Sequence, residues 1–425
     1  MVEKRFIYDL SEGDASMKPL LGGKGAGVAE MARVGVPVPD AFTVTTQACV
    51  AAMNNNGEWP AGLREQVEAA LDRLEERTGK VLGSTENPLL VSIRSGAVFS
   101  MPGMMDTVLN LGISDDTVGA VAALADGNER FAWDCYRRFI QMYGEVVEGV
   151  DQYVFEDALT EAKEAKGVAN DTDLDAEDLK ALTKKFKELA NEALGGHWTT
   201  DPREQLMRAI NAVFLSWNNP RAEVYRKANG ISRDLGTAVN VQQMVFGNRG
   251  ETSATGVCFS RNPSTGAKEL YGEFLTNAQG EDVVAGIRTP RNLAEMEDVL
   301  PEAFHELLAT MDKLELHNKD LQDMEFTIED RKLYMLQTRN GKRTAAAAVK
   351  SAVDMVDEGL ITKEEALLRI NPSDLDALLH PAIDPNFKAT AIVKGLPASP
   401  GAAVGALSFN ADDAAERGGK GESVI

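Results

Sequence analysis

The sequence has few cysteines and no long apolar segment. Its 425 residues include three cysteines, Cys49, Cys135 and Cys258, an odd number spread widely along the chain. This excludes a disulfide framework and a cysteine zinc site, and it favours a reducing compartment such as the cytoplasm. No run approaches the ~18 uncharged apolar residues of a membrane span, and the amino terminus lacks the apolar core and cleavage site of a signal peptide. We therefore expect a cytoplasmic protein without a membrane partner.

Basic residues are outnumbered by acidic ones. Lys and Arg total 44 against 66 Asp and Glu, which gives a formal net charge of −22. This charge repels phosphate backbones and anionic lipids unless cations cluster locally, so nucleic acid is excluded as a partner. The 44% hydrophobic and 26% charged content is typical of a globular chain. The length predicts about two to four domains.

Histidines are also rare, and none belongs to a recognisable catalytic set. The four are His197, His305, His317 and His380. No serine, cysteine or aspartate forms with them the pattern of a nucleophile and its base. We therefore interpret the histidines as structural or surface residues and look elsewhere for chemistry.

Hydrophobic periodicity predicts a mixed chain in which strands and helices occupy separate blocks. Strands are predicted at 5–8, 41–45, 89–95, 238–246, 256–261, 269–275 and 326–336, and helices at 28–34, 61–79, throughout 115–235 and at 341–375. Within the helical block, the charged segment 156–193 predicts a solvated helical hairpin. Segment 391–409 predicts the first strands of a further domain. Because only about 35 residues of that domain are present, we expect the chain to stop inside it.

A glycine-rich segment lies near the start of the chain. Residues 21–27 contain four glycines around Lys24. They predict a turn before a helix N-terminus, where backbone N–H groups bind anions and Lys24 would lie over a phosphate. The segment is not a Walker A loop, because no serine or threonine follows the lysine. A glycine-rich turn without any ligand is the competing interpretation.

An alternating run near residue 325 predicts a strand with two different faces. Asp323 and Glu325 alternate with apolar residues, and the next strand carries Gln337 and Arg339. With a three-residue loop at 330–332, Glu325 lies opposite Gln337, and Asp323 lies opposite Arg339. Two carboxylates, an amide and a guanidinium on one face suit Mg²⁺ and phosphate oxygens. The alternative is an exposed face with an ordinary Asp–Arg cross-strand pair.

Two other segments carry polar groups suited to phosphates. Alternation at 89–95 places Ser92 and Arg94 on one face of a half-buried strand. Thr255 and Gly256 end a hydroxyl-rich loop that offers hydroxyl and backbone donors. A plain hairpin turn is the alternative for that loop.

Taken together, these segments resemble the pyruvate phosphate dikinase family. The matching runs are LLGGKG at 20–25, FTVTT at 42–46, SIRSGA at 92–97, SMPGMMDT at 100–107, NAQGEDVV at 277–284, and most of 323–344. They are spread in order along the chain, which makes the match specific. The SMPGMMDT run separates this family from the related pyruvate, water dikinases.

The resemblance implies an α+β fold built on an ATP-grasp-like, two-lobed nucleotide-binding domain. The expected bounds are 1–340 for that domain with a helix-rich insertion at about 112–200, 341–390 for a helical linker, and 391–425 for the start of a swivelling phosphohistidine domain. Family members convert ATP, phosphate and pyruvate to AMP, diphosphate and phosphoenolpyruvate through a phosphohistidine and a pyruvate-binding barrel. ATP is then the substrate and Mg²⁺ the cofactor.

The resemblance also implies roles for individual residues. Phosphate binding and catalysis would fall to Lys24, Arg94 and Arg339, and Mg²⁺ binding to Asp323, Glu325 and Gln337. The triphosphate would be lined by Gly103, Thr255 and Gly256, with Glu281 and Asp282 nearby.

The sequence departs from the family in two places. Apolar Val98 stands where many members carry a basic residue, which predicts one ATP contact fewer. No Gly-Gly-Met-Thr-Ser-His-Ala-like segment follows residue 391, so we expect the phosphocarrier histidine and the barrel on a separate piece or chain. The alternatives are a nucleotide-binding or partner-docking module without catalysis and an inactive remnant of a split gene.

Overall fold

The structure is a computed structural model that describes residues 4–372 apart from 102 and 285–287, together with 375, 378 and 403–425. His380 and part of the predicted domain start at 391–409 therefore lie outside the described residues. In the described part of the chain, no helix combines the length and apolarity needed to cross a bilayer.

Helices and strands alternate in long blocks along the described residues. The α-helices are α1 (Lys18–Arg33), α2 (Thr46–Asn54), α3 (Leu63–Thr78), α4 (Val118–Ala123), α5 (Glu129–Val146), α6 (Gln152–Lys166), α7 (Ala176–Ala193), α8 (Pro202–Ser216), α9 (Pro220–Ala228), α10 (Gly280–Val284), α11 (Met296–Val299), α12 (Pro301–Asn318), α13 (Ala345–Asp357), α14 (Lys363–Arg369) and α15 (Ala411–Gly419). The strands are β1 (Ile7–Asp9), β2 (Ala41–Val44), β3 (Val81–Leu82), β4 (Pro88–Leu89), β5 (Val91–Ala97), β6 (Thr107–Leu111), β7 (Thr237–Gln243), β8 (Ala254–Phe259), β9 (Tyr271–Thr276), β10 (Arg291–Asn292), β11 (Gln322–Glu329) and β12 (Lys332–Asn340). Short 3₁₀ segments occur at Leu10–Glu12, Ala15–Met17, Asp171–Asp173, Arg233–Leu235 and Leu293–Glu295.

Two five-stranded antiparallel sheets organise the chain. The first sheet has the order β1-β2-β7-β5-β6, and the second has the order β10-β9-β8-β11-β12. Helices α4 to α9 lie between β6 and β7 in the chain, so the helical block is inserted into the first sheet. The α+β class is therefore confirmed, and so is the hairpin predicted at 156–193, which is formed by α6 and α7.

Each sheet has its own hydrophobic core. The first core joins strand residues such as Phe42 and Ile93 to the insertion helices. The second core joins Phe326 on β11 to α12 and to Met31 of α1. Because one side of α1 belongs to the second core, α1 lies between the two sheets.

The glycine-rich segment forms a helix over most of its length, which corrects the predicted turn at 21–27 and the predicted helix start at 28. Only Gly22 leaves the helical conformation, with φ 69° and ψ 176°. A Cβ on Gly22 would lie 1.5 Å from the Gly96 carbonyl oxygen, and one on Gly25 would lie 2.8 Å from Thr43 Oγ1. The glycines therefore allow α1 to pack directly on the first sheet, a close approach that glycine permits.

The predicted helix at 341–375 is divided into α13 and α14. Gly359 has φ 74°, a left-handed conformation that ends the first helix. The segment is anchored to the second sheet because the Thr344 backbone N–H donates to the Pro263 carbonyl at 3.0 Å. The buried Arg261 guanidinium also pairs with Glu358 at 2.6 Å.

Candidate functional site

The hairpin of β11 and β12 forms the floor of the site. Asp323 pairs with Arg339 and Glu325 with Gln337, the register expected from the sequence. The turn itself differs from the expected three-residue loop, because Glu329 pairs directly with Lys332. Asp330 and Arg331 both have positive φ, as a two-residue type I′ turn requires.

A bulge in β12 restores the expected register. Phe326 pairs with Met335 whereas Glu325 pairs with Gln337, so Leu336 is an extra residue in β12. Before the bulge, odd-numbered Met335 faces the second core beside Phe326. After the bulge, odd-numbered Gln337 lies beside Glu325 on the opposite face, since an extra residue re-aims the side chains that follow.

Arg94 reaches this face from the first sheet. Its Nη2 donates to Glu325 Oε2 at 2.7 Å, and its Nη1 donates to the carbonyl of the bulged Leu336 at 3.4 Å. Gln337 Nε2 donates to the other Glu325 oxygen at 2.9 Å. Strand β5 is held between β7 and β6, which fixes the direction of Arg94. The two sheets therefore meet through a partly buried charge-assisted contact.

Arg339 makes the second ion pair of the site. Its Nε donates to Asp323 Oδ2 at 2.7 Å, and its Nη1 donates to Ser100 Oγ at 3.2 Å. Ser100 belongs to the loop between β5 and β6, where Met101 is buried against Trp217. Sequence reasoning did not single out Ser100, although it opens the SMPGMMDT run.

Lys24 adds a third cation from α1. Burial lowers the pKa of Lys24 to about 7; the charge of Arg94 adds to this effect, while Glu325 opposes it. For Glu325, burial works against ionisation, but Arg94 and Lys24 outweigh it and the pKa is lowered. For Asp323, burial raises the pKa, and Arg339 offsets it only in part. The charges of this cluster are thus strongly coupled.

Thr255, Gly256 and Gly103 occupy different surroundings. Thr255 Oγ1 donates to the Phe326 carbonyl at 3.1 Å and lies 3.2 Å from Thr327 Oγ1. Gly256 faces the second core, because a Cβ there would lie 2.6 Å from the Phe326 ring. Gly103 has φ 70° and open space around its Cα. Only Thr255 therefore presents a side chain beside the polar face of the hairpin.

Glu281 and Asp282 contact the helical insertion, not the ion pairs of the hairpin. Arg138 on α5 pairs with Asp282 at 2.9 Å and with Glu281 at 3.6 Å. Burial raises the pKa of Glu281, and Arg138 acts in the opposite direction. Arg138 also pairs with Asp134 at 3.0 Å. Sequence reasoning missed Arg138, whose only local sign was its place in the polar pattern of an amphipathic helix.

Comparison with known proteins decides the family. A family model described as pyruvate phosphate dikinase, AMP/ATP-binding domain, matches residues 18–78, 50–301 and 290–360. The chain belongs to the pyruvate phosphate dikinase family. The family resemblance expected from the sequence is therefore confirmed.

Full-length relatives of the pyruvate phosphate dikinase family extend beyond this chain. The chain is 55% identical over 424 residues to pyruvate, phosphate dikinase of Clostridium symbiosum, covering 99% of this chain and 48% of the relative. It is 55% identical to the Rhizobium meliloti enzyme, with coverages of 98% and 47%. It is 52% identical to the chloroplastic enzyme of Flaveria trinervia, with coverages of 98% and 44%. The chain thus spans about half the length of the curated relatives it matches.

The oxygen atoms of the hairpin fit the Mg²⁺ that the pyruvate phosphate dikinase resemblance implies. Gln337 Oε1 is buried and has no hydrogen-bond partner, and such an orphaned acceptor is costly unless a ligand satisfies it. It lies on the same face as the carboxylates of Asp323 and Glu325, a hard oxygen donor set. Within the described residues, no three His, Cys, Asp or Glu side chains form a metal-holding group. A cation here would therefore use Gln337 and oxygens of water or ligand as well.

Proposed function

We propose that this chain is the nucleotide-loading part of a pyruvate phosphate dikinase. It binds Mg·ATP between its two sheets, in an ATP-grasp-like arrangement. It transfers the β,γ-diphosphoryl group of ATP to a histidine supplied by another domain or chain, which leaves AMP, and the γ-phosphoryl group then passes to phosphate to give diphosphate. The AMP/ATP-binding description of the matching family supports nucleotide binding. The dikinase reaction as a whole requires the parts of the relatives that this chain does not span.

The convergence of charges on the hairpin carries this proposal. Arg94 and Arg339 come from different sheets and Lys24 from the helix between them, yet all three act electrostatically on one carboxylate, Glu325. Phosphoryl transfer needs positioning and compensation of charge more than covalent help from the protein. Groups fixed by separate rigid elements provide that pre-organisation.

Each cation has a distinct task in this proposal. Arg94 and Arg339 hold the phosphate oxygens, because a guanidinium binds such oxygens in a bidentate manner. Lys24 offers a point charge at the start of the regular part of α1, where backbone N–H groups also favour anions. Together they stabilise the charge that moves during transfer.

The oxygen face orients the cation. We propose Asp323, Glu325 and Gln337 as the residues that hold Mg²⁺. When bound, Mg²⁺ would compensate the charge of the phosphate oxygens. The role of the chain is to fix the ligand oxygens. Gln337 is held in place because its side-chain Nε2 donates a hydrogen bond to Glu325 Oε1.

The remaining predicted residues have supporting roles in this proposal. Thr255 contributes its hydroxyl, and Gly103 allows the backbone to approach the triphosphate. Gly256 supports Thr255 from within β8, because its missing Cβ leaves room for the Phe326 ring. Glu281 and Asp282 act next to the nucleotide, where Arg138 holds them. Val98 leaves one basic contact unfilled, which weakens ATP binding.

The proposed organisation follows the expected domains. Residues 1–340 form the nucleotide-binding domain, with the insertion at about 112–200. Residues 341–390 form the linker, and 391–425 begin the phosphohistidine domain. Partners are ATP, phosphate, and the phosphohistidine and pyruvate-binding domains. We propose a cytoplasmic location, supported by three free, buried cysteines.

Calorimetric titration with Mg·ATP tests the nucleotide site. We expect wild-type chain to bind and Arg339→Ala to bind at least ~10-fold more weakly, because a charged hydrogen bond to phosphate is lost. Arg331→Ala is the matched control, because it removes an arginine from the turn of the same hairpin. Absence of binding by the wild-type chain would sink the proposal.

A second assay tests the division of labour. The chain alone, supplied with ATP, phosphate and pyruvate, should form no phosphoenolpyruvate. Mixing it with a chain that carries the histidine and barrel domains should produce phosphoenolpyruvate. Product from the isolated chain would contradict the proposed dependence on another part.

A further inference from the structure

The proposed phosphate-binding arginines are already occupied by the proposed metal-binding carboxylates. Arg94 Nη2 lies 2.7 Å from Glu325 Oε2, and Arg339 Nε lies 2.7 Å from Asp323 Oδ2. Each guanidinium therefore gives the binding site a neutralised pair in place of a free cation. Each carboxylate is likewise neutralised by its arginine, so it is not free to bind a cation.

Partial burial makes these two pairs stronger than fully exposed surface ion pairs. Each pair has one largely buried member, Asp323 at 9% and Arg94 at 14% exposed, and one more exposed member, Arg339 at 39% and Glu325 at 30% exposed. In such surroundings attraction between opposite charges is less screened than in water. A ligand that uses only one member of a pair must therefore break a strong contact and leave the other member unpaired, which is costly.

Secondary contacts keep the arginines in place after such a break. Arg94 Nη1 also donates to the Leu336 carbonyl at 3.4 Å, and Arg339 Nη1 also donates to Ser100 Oγ at 3.2 Å. Neither contact involves a carboxylate. A guanidinium released from its carboxylate thus still has one hydrogen-bond partner in the site.

We infer that the two ion pairs form a self-neutralised resting state of the site. In this state, nucleotide binds weakly without metal, and metal binds weakly without nucleotide. Each ligand, once bound, frees the residues that the other ligand uses. This inference rests on the proposed function, and it adds the regulation of that site. A cation that takes Glu325 and Asp323 releases Arg94 and Arg339 for phosphate. Phosphate that takes the arginines releases the carboxylates for the cation.

Thermodynamic linkage makes this coupling measurable from either side. If Mg²⁺ strengthens ATP binding by a certain factor, ATP must strengthen Mg²⁺ binding by the same factor. Part of that factor comes from direct contact between the two ligands. The part contributed by the protein depends on the carboxylates, so substitutions of the carboxylates isolate it.

Glu325→Gln and Asp323→Asn provide the test. Both keep the shape of the side chain and remove the charge that holds an arginine. The reference is Asp330→Asn, which removes one negative charge from the turn of the same hairpin. Asn tolerates the positive φ of 47° at this position, and five residues of strand place it about 17 Å from Glu325.

ATP titrations in EDTA and in excess Mg²⁺ give the readout, with the full 425-residue chain in each case. In EDTA, we expect Glu325→Gln to bind ATP about 10-fold more tightly than wild type, because Arg94 is freed. Asp323→Asn should show the same direction through Arg339. Asp330→Asn should change the metal-free affinity less than about twofold. The strengthening by Mg²⁺ should be smaller in both site variants than in wild type.

The outcomes separate the two proposals. If wild type binds Mg·ATP but both folded site variants bind metal-free ATP no more tightly than Asp330→Asn, the resting-state inference is wrong and the proposed function stands. If wild type fails to bind Mg·ATP, the proposed function itself fails. Thermal unfolding shows which variants are folded. If only one site variant folds, comparing the factor by which Mg²⁺ strengthens ATP binding in wild type and in that variant is sufficient to decide on the resting-state inference.

Discussion

Among the described lysines, Lys24 is the one whose surroundings lower its pKa. It is half-buried at the start of the regular part of α1 and lies in the electric field of Arg94 and Arg339. Burial and these like charges disfavour its ammonium form, and Glu325 opposes them only in part. The ligand-free protein therefore carries an unfavourable charge in the site at low pH, and a phosphate would relieve it.

This cost predicts a pH dependence of stability. Because the pKa of Lys24 is lowered to about 7, the folded chain binds fewer protons than the unfolded chain between about pH 7 and pH 10. The cost is fully present below pH 7 and disappears as pH rises through this window. Relative to Lys24→Met, wild type should gain up to about 1.4 kcal/mol in free energy of unfolding per pH unit. Urea denaturation of both proteins at pH 7, 8, 9 and 10 measures the difference, and a constant difference would contradict the prediction.

The sequence predicts the arrangement of candidate site residues correctly where the alternation of a strand shows which side chains share one of its faces. Asp323 and Glu325 alternate with core residues, so their shared face could be read from the period of a strand. Arg138 and Ser100 escaped because their partners, Asp282 and Arg339, are more than a hundred residues away along the chain. Such pairs depend on how elements pack, and no local period encodes them.

At the scale of elements, one buried arginine fixes α13 to the second sheet. Arg261 follows β8, and its side chain is fully buried. It donates to Glu315 on α12 at 2.9 and 3.0 Å and to Glu358, just after α13, at 2.6 and 3.0 Å. These two carboxylates raise the pKa of Arg261 against the effect of burial. The first part of the expected linker is thus held by a buried ion network.

Removing that arginine should destabilise the protein strongly. In Arg261→Met, Glu315 remains buried and keeps only Lys268, at 3.5 Å, as a described cationic partner. We expect a loss of about 3–5 kcal/mol in free energy of unfolding. Adding Glu315→Gln should recover part of this loss, because the unpaired charge is removed. Urea denaturation gives these values.

A surface arginine provides the comparison. Arg64 pairs with Glu68 and Glu204, and its own side chain is 54% exposed. Arg64→Met should therefore change the free energy of unfolding by no more than about 1 kcal/mol. Equal effects of Arg261→Met and Arg64→Met would show that the buried network does not hold α13.

The elements also show where sequence reasoning reached its limit. The pairing of the hairpin was predicted correctly from an incorrect turn, because a two-residue turn and the bulge at Leu336 give the same register at Glu325 as a three-residue loop. The bulge turns the odd-numbered residues of β12 from the core face to the site face, whereas a strict period of two would place Met335 and Gln337 on the same face. The glycines around Lys24 were misread for a related reason: their purpose is close packing on Thr43 and Gly96, which depends on tertiary structure.

At the scale of the whole molecule, the global and local charges have opposite signs. The chain carries a net charge of −22, whereas the proposed nucleotide site gathers three cationic and two anionic side chains. A nucleotide approaching from solution first meets the field of the whole chain, and it meets Lys24 and the two arginines only at short range. Salt screens the long-range repulsion much more than the contacts inside the proposed nucleotide site.

This difference predicts an unusual response of nucleotide association to salt. Raising KCl from 10 to 150 mM shortens the Debye length from about 30 to about 8 Å, so repulsion by the acidic surface weakens while the buried contacts persist. We expect the association rate constant of ATP to rise by about two- to tenfold over this range, opposite to the fall seen when attraction steers a ligand. Stopped-flow mixing with a fluorescent ATP analogue in Mg²⁺ gives the rate constant at each salt concentration. A rate that falls with salt would mean that the three cations dominate the field well outside the proposed site, and the separation between global repulsion and local attraction would then be wrong.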